Sequence, residues 1–385
     1  MRIYLKNNGY AVSEKFPMTV FEMEDILDKL KQTESVVRFE ISEYDNMELP
    51  YTLRRKEFSA DIYKLNLFAE RYEQLEEYQK AAFKSVLMKH PDSSIDDMLL
   101  MTYGIEGVPV YPVNDYAELG EIAVDNEMLP ELNDCSNEII ELLDLEKVGK
   151  LLAEREEGVI LDGYYCVPSS YEKPDMNIEI GRPESCFFRL LIAPIKANGV
   201  PDYASAQWLT LPFDEENQKV DFEKMTCVKR ESSLPNISQN QLTIENIYML
   251  NDLAKSLSEL SHNDFIKLKA VMEAENICEI SDTPDCISRL DEYEFDINIS
   301  DQSEFGRTYL ARNLPVNFNI SMLENMDLFD FGQGILSHNH GEITSYGAIS
   351  GRGQELYSAL TIEPEQQLEE KLEEDFEPEM GGMSL

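Results

Sequence analysis

Between Pro91 and Glu146 the chain carries fifteen Asp and Glu residues and not one Lys or Arg. Two runs in this stretch step by three or four positions: Asp115, Glu118, Glu121 and Asp125, then Asp134, Glu138, Glu141 and Asp144. On a helix, residues so spaced share one face at roughly 5 to 6 Å, similar to the pitch of phosphates along a nucleic-acid strand. The chemistry open to such a row is electrostatic capture of Lys and Arg, not bond making. Like charges at this spacing repel by ~0.2–0.5 kcal/mol per pair, so a row kept at that cost asks for a function. Solvated carboxylates that only confer solubility are the plain alternative.

Other constellations offer less. Ser337-His338-Asn339-His340 holds a His-x-His, which on a strand would turn both imidazoles to one face as metal sites do; a turn ahead of Gly341 is the expectation. Asp92 with Asp96-Asp97, and Asp291-Glu292, lack the ligand spacing of a Ca²⁺ loop. Gly351-Arg352-Gly353 is not followed by Lys-Ser/Thr, so it does not read as a phosphate loop. Serine with His90 or His262 forms no recognisable nucleophile arrangement. No catalytic residue, cofactor or metal is expected. The enzyme reading kept as an alternative is a metal-dependent hydrolase using His338 and His340.

The composition narrows the classes further. Seventy-five acidic against 33 basic side chains in 385 residues give a formal charge of −42, which excludes a chain that binds nucleic acid through clustered Lys and Arg. With 43% hydrophobic residues, 17 Phe and 19 Tyr, it is not a disordered acidic polymer. No stretch approaches the roughly 20 apolar residues of a membrane span. The N-terminus lacks the apolar core of a signal peptide, and a cytoplasmic protein is expected. Six scattered cysteines without a Cys-x-x-Cys pair read as reduced thiols, mostly buried.

The elements that position the acids repeat. At an offset of 185, Leu49-Pro50 returns as Leu234-Pro235, Ile62-Tyr63 as Ile247-Tyr248, Leu65-Asn66 as Leu250-Asn251, Val86 as Val271 and Pro130 as Pro315. With small shifts, Gly120 matches Gly306, Gly149 matches Gly332 and Gly158 matches Gly341. The stripe Ile62, Leu65, Ala69, Tyr72, Leu75 and its counterpart Ile247, Leu250, Ala254, Leu257, Leu260 predict amphipathic helices. A second helix is expected over 78–89 and 263–275, and strands over 2–5, 36–41, 188–193 and 207–211. The expected fold is α+β, an elongated chain of small α+β and helical modules. Its domains are a first unit at 1–167, a linker at 168–185, a second unit at 186–357 and an acidic tail at 358–385. The second unit repeats the anionic portion: Glu273–Glu304 holds eleven acids and one Arg.

The order of short motifs resembles the ArdA-type antirestriction family of conjugative elements and phages. Trp208-Leu-Thr-Leu-Pro212, the helical Ile-x-x-Leu-Asn segment, Phe305-Gly306-Arg307 before Leu314-Pro315, and Tyr346-Gly347 follow one another as in that family, with Glu43-Tyr44-Asp45 and Leu49-Pro50 in copy one. Copy one lacks the Trp and the Gly-Arg and has Gly163-Tyr164 at the last position. The resemblance implies a non-catalytic mimic of double-stranded DNA that occupies the DNA groove of type I restriction-modification enzymes, at the methyltransferase and specificity core. It also implies a homodimer or, with two units in one chain, an internal pseudo-dimer. The acids expected to form the partner surface are Asp92, Asp96, Asp97, Asp115, Glu118, Glu121, Asp125, Glu127, Asp134, Glu138, Glu141 and Asp144 in copy one. In copy two they are Asp282, Asp285, Asp291, Glu292, Glu294, Asp296, Asp301 and Glu304. An acidic module that inhibits another basic DNA-binding or defence protein is the alternative from a different class.

Overall fold

In the first strand, β1 (Arg2–Asn7), Ile3 and Leu5 are fully buried while Arg2 and Tyr4 face outward, the alternation of a sheet with one covered face. It lies between β2 (Tyr10–Lys15) and β3 (Val36–Ile41), and β4 (Glu57–Asp61) completes an antiparallel sheet in the order β2-β1-β3-β4. The computed structural model describes residues 1–358 except 8–9, 42–55, 133–134, 179, 181–185, 217–218, 316–317 and 319–326. The Glu43–Pro50 motif, Asp134 and the acidic tail beyond 358 lie outside the described residues.

Four helices join this sheet around one apolar core: α1 (Val20–Lys29), α2 (Ile62–Gln74), α3 (Glu77–Lys89) and α4 (Ile95–Gly104). The expected stripe holds, since α2 buries Ile62, Leu65, Phe68, Ala69 and Tyr72. Its start is fixed by Asp61, whose carboxylate accepts from the Tyr63 and Lys64 amides and satisfies helix-start donors that would otherwise lack partners. A second module follows, with β5 (Val110–Pro112), α5 (Tyr116–Asp125), α6 (Asn137–Ile140), α7 (Leu145–Glu156), β6 (Val159–Leu161) and β7 (Tyr164–Cys166), its sheet ordered β5-β7-β6.

Copy two repeats much of this series. β8 (Phe188–Pro194) lies between β9 (Gln207–Leu211) and β10 (Met225–Ser232), followed by α8 (Ile247–Ser258), α9 (His262–Ala274) and α10 (Thr283–Ser288). Then β11 (Phe295–Asp296), α11 (Gln302–Asn313), α12 (Leu328–His338), β12 (Glu342–Thr344) and β13 (Gly347–Ile349) form a second three-stranded sheet, ordered β11-β13-β12. The class is α+β throughout. Among the described residues copy two has no counterpart of α1 or β4.

Matched letters have matched physical roles. Asn66 accepts from the Met18 amide at 2.8 Å and donates to the Met18 carbonyl at 3.1 Å. Asn251 does the same to Phe213, at 2.7 and 3.2 Å. Each buried amide clamps the residue that follows a proline at the end of a strand, Pro17 or Pro212. Two of the three glycine pairs, Gly120 with Gly306 and Gly149 with Gly332, are helix crossings. A Cβ on Gly120 would stand 1.9 Å from the Leu145 carbonyl oxygen, and one on Gly149 1.9 Å from that of Tyr116. In copy two the same holds for Gly332 against Gln302, at 1.9 Å, and Gly306 against Leu328, at 2.6 Å. Only a missing side chain lets these helices approach so closely.

The chain divides into two compact units, Met1–Ile287 and Ser288–Leu385. The boundary falls inside copy two, at the end of α10, so a compact unit is not a copy. Within the first unit the copies are tied by Lys269 of α9, whose side chain is 2% exposed and bonds Asp25 at 2.9 Å and Asp28 at 2.8 Å on α1. The stretch expected to be a linker is docked over its first part. Pro168 is buried, Tyr171 and Ile178 pack on the first core, and Lys173 pairs with Asp97 at 2.6 Å. The cysteines depart from expectation in burial: none of the six is in a disulfide, but only Cys166 and Cys286 are buried.

A candidate anionic interface

Helix α5 begins where Asp115 accepts from the amides of Ala117 and Glu118 at 2.8 and 2.9 Å. Glu118 reaches back to accept from the Asn114 amide at 2.7 Å. Leu119, Gly120 and Ala123 are buried, so Asp115, Glu118, Glu121 and Asp125 are exposed on the other side, as the spacing predicts. The helix ends when the Met128 amide donates to the Ala123 carbonyl and Glu127 takes a left-handed conformation, φ 51°. Asp115 and Glu118 therefore build the helix start, where anions are favourable. Asp125 and Glu127 stand at its other end, where the exposed carbonyls disfavour them, and no basic residue occupies the last turn. Among the described residues, Glu121, Asp125 and Glu127 make no ion pair and no side-chain hydrogen bond.

The second run does not form a helical row. Its single-helix expectation fails because the backbone between Cys135 and Leu143 closes mainly three-residue turns, Cys135 onto Leu132, Leu142 onto Ile139 and Leu143 onto Ile140, and α6 spans only four residues. Glu138, Glu141 and Asp144 are exposed but lie on α6, in the turn and at the cap of α7 in succession. The Ser136 hydroxyl holds the Glu138 carboxyl below its usual range. Lys147, 2.9 Å away, does the same for Asp144.

Farther back, Asp92 is fully exposed, Asp96 pairs with Lys64 at 2.5 Å, and Asp97 in the first turn of α4 accepts from the amide and hydroxyl of the Ser94 cap. Lys173 and the Ser94 hydroxyl pull the Asp97 carboxyl down to about 2. In copy two, Asp282 and Asp285 are exposed in the first unit, and Asp282 accepts from the Ser281 hydroxyl. In the second unit Asp291 is exposed, whereas its neighbours are engaged. Glu292 pairs with Arg352, and Glu294 accepts from the Leu356 amide. Asp296, with its side chain 12% exposed, is bound by Arg312 and the Tyr357 hydroxyl. Asp301 caps α11, and Glu304 accepts from both Ser300 donors. Asp296 is thus not a surface anion, and Asp301 and Glu304 repeat the structural roles of Asp115 and Glu118.

His338 ends α12 and His340 sits in a left-handed turn, φ 52°, before Gly341, with Asn339 buried between them. Copy one places Glu157, φ 54°, at the same turn before Gly158. The turn expected at this motif is present, and the two imidazoles do not share a strand face. Among the described residues no group of three or more His, Cys, Asp or Glu side chains is placed to hold a metal ion. No helix among them is long and apolar enough to cross a membrane. No protein-family model matches the chain, and no curated protein matches it in sequence.

Sequence reasoning missed two features. The Lys269 cluster pairs α9 with helix α1, which has no counterpart among the described residues of copy two, so no repeat pattern marks it. Ile139 and Leu142, 51% and 85% exposed, lie in a stretch read only for its acids.

Proposed function

We propose that this protein is a non-catalytic anionic decoy, a mimic of duplex DNA that occupies the DNA-binding groove of type I restriction-modification enzymes by stoichiometric occlusion. The observation that carries the reading is the set Glu121, Asp125 and Glu127: exposed, without partners among the described residues, and set partly where the helix itself disfavours them. A net charge of −42 adds long-range attraction for a Lys- and Arg-lined channel, where complementary potentials speed encounter and fall off with salt. Contacts to a phosphate backbone position DNA without reading bases, so a row of carboxylates suffices for a target that binds many sequences. The letters that resemble the antirestriction family, such as Leu211-Pro212, Asn251, Phe305 and Gly306, are accounted for by packing. They support a shared fold, and the unused acids support the activity.

The test is binding of the whole chain to a purified type I methyltransferase and specificity core, with salt titration and duplex DNA as competitor. We expect binding that weakens steeply between 50 and 300 mM salt and that the duplex displaces. Replacing Glu121, Asp125 and Glu127 together by Lys is expected to weaken binding at least tenfold with little change in melting temperature. Asp115 and Glu118 are left intact because they build the helix. Wild-type affinity in the triple variant would remove α5 from the interface, and no binding by the unaltered chain would sink the reading. Tight capture of a different basic protein with no effect on restriction would favour the broader acidic-module alternative.

A further inference from the structure

Within the acidic stretch α6 and the turn after it expose apolar side chains. Ile139 is 51% and Leu142 85% exposed, and the Leu142 amide donates to the Ile139 carbonyl at 3.1 Å, which places them one tight turn apart. Ile140 and Leu143 are partly covered, Leu143 by the module's core. Exposed Glu138 and Glu141 interleave with the pair, and no Lys or Arg occurs in the sequence from Pro91 to Glu146. A lone exposed leucine is ordinary. Two on one turn inside a purely anionic stretch resemble the apolar centre and charged rim of a protein interface.

A phosphate backbone has no counterpart to these side chains, and a channel wall that reads only phosphates gains nothing from them. We infer that Ile139 and Leu142 form an apolar anchor for a basic protein surface, one that presents a hydrophobic pocket or groove flanked by Lys and Arg. Charge selects this occupant. A second copy of the chain would set its own acidic stretch against this one, and nucleic acid would be repelled. The inference rests on the anionic-decoy reading for the sign of the partner and adds that the partner is gripped by apolar burial as well as by charge.

Two synthetic helical peptides of equal positive charge serve as probes, one with leucines between its lysines and one with serines in their place. Wild-type chain is expected to bind the Lys-Leu peptide at least tenfold more tightly than the Lys-Ser peptide. Ile139→Ser with Leu142→Ser should erase that preference while leaving Lys-Ser binding and the melting temperature unchanged. Equal affinity of the unaltered chain for both peptides, or a preference that survives the double substitution, overturns the inference. So does self-association of the unaltered chain that the substitutions abolish, because a second copy would then be the occupant. Failure to bind a type I core would sink the decoy reading and leave this comparison intact, so the two fail separately.

Discussion

Lys31 shows how one side chain registers the structure around it. It follows α1 in a left-handed conformation, φ 55°. Burial lowers its ammonium to about 8, with Asp28 and Glu273 opposing only in part. Because the folded value lies below the unfolded one of about 10.4, the unfolded chain binds more protons between the two, so this residue makes stability rise with pH across that window. The full penalty is present below pH 8. Lys31→Met is expected to raise stability at pH 7 by on the order of 1 kcal/mol and to flatten the rise from pH 8 to 10. Urea denaturation at several pH values reads both, and an unchanged pH profile would show that Lys31 is solvated. Nothing in the sequence around Lys31 distinguishes it from other lysines, since the charges that oppose its burial come from Glu273 of α9 as well as Asp28 of α1.

At the scale of elements the glycines separate into those that touch a neighbouring helix and those that do not, and α12 contains one of each. A Cβ on Gly332 would meet the Gln302 carbonyl oxygen at 1.9 Å, whereas around Gly334 there is nothing within 4 Å. Gly332→Ala is therefore expected to cost about 3 kcal/mol or more by forcing α11 and α12 apart. Gly334→Ala should stabilise the same helix by about 1 kcal/mol, the propensity gain of a solvent-facing site. Thermal unfolding of the two variants checks the pair, and equal effects would mean the helices do not cross where the glycines are. The repeat of Gly120 and Gly149 as Gly306 and Gly332 was visible in the letters. That each pair marks a backbone crossing was not, because a glycine match is equally compatible with a turn.

For the whole molecule, Lys269 decides whether the two copies act as one body in the first unit. Burial alone would lower its ammonium, but Asp25 and Asp28 more than offset this and hold it above the usual lysine range. Its contribution to stability is thus complete below the ordinary lysine value and is lost as pH rises through the elevated folded value. Lys29 also reaches Asp25, at 2.8 Å, and His262 reaches Asp28, at 3.4 Å, so Lys269→Ala leaves the two buried carboxylates to these more exposed partners and is expected to cost about 3 kcal/mol. Replacing the cluster together, Lys269→Met and Lys29→Met with Asp25→Asn and Asp28→Asn, should be closer to neutral. Hydrogen exchange of β1–β4 against β8–β10 reads the coupling. If the Lys269→Ala chain still opens both sheets together, the tie lies elsewhere.

The amino-acid order by itself determined the α+β class, the doubled series of strands and helices, and the buried stripes of α2 and α8, because hydrophobic period and turn chemistry are local. It also determined that the surface is strongly anionic, since charge is additive along a chain. Only the tertiary structure decided which acids are spoken for. Asp115, Asp144, Asp301 and Glu304 satisfy backbone donors, Asp296 is taken by Arg312 and Tyr357, and Glu121, Asp125 and Glu127 have no partner among the described residues. It likewise broke the stretch from Glu138 to Asp144 into a short helix, a turn and a cap and turned Leu142 outward. A carboxylate's role depends on the donor brought beside it, and those donors come from residues distant along the chain or from backbone geometry that the spacing of acids does not encode.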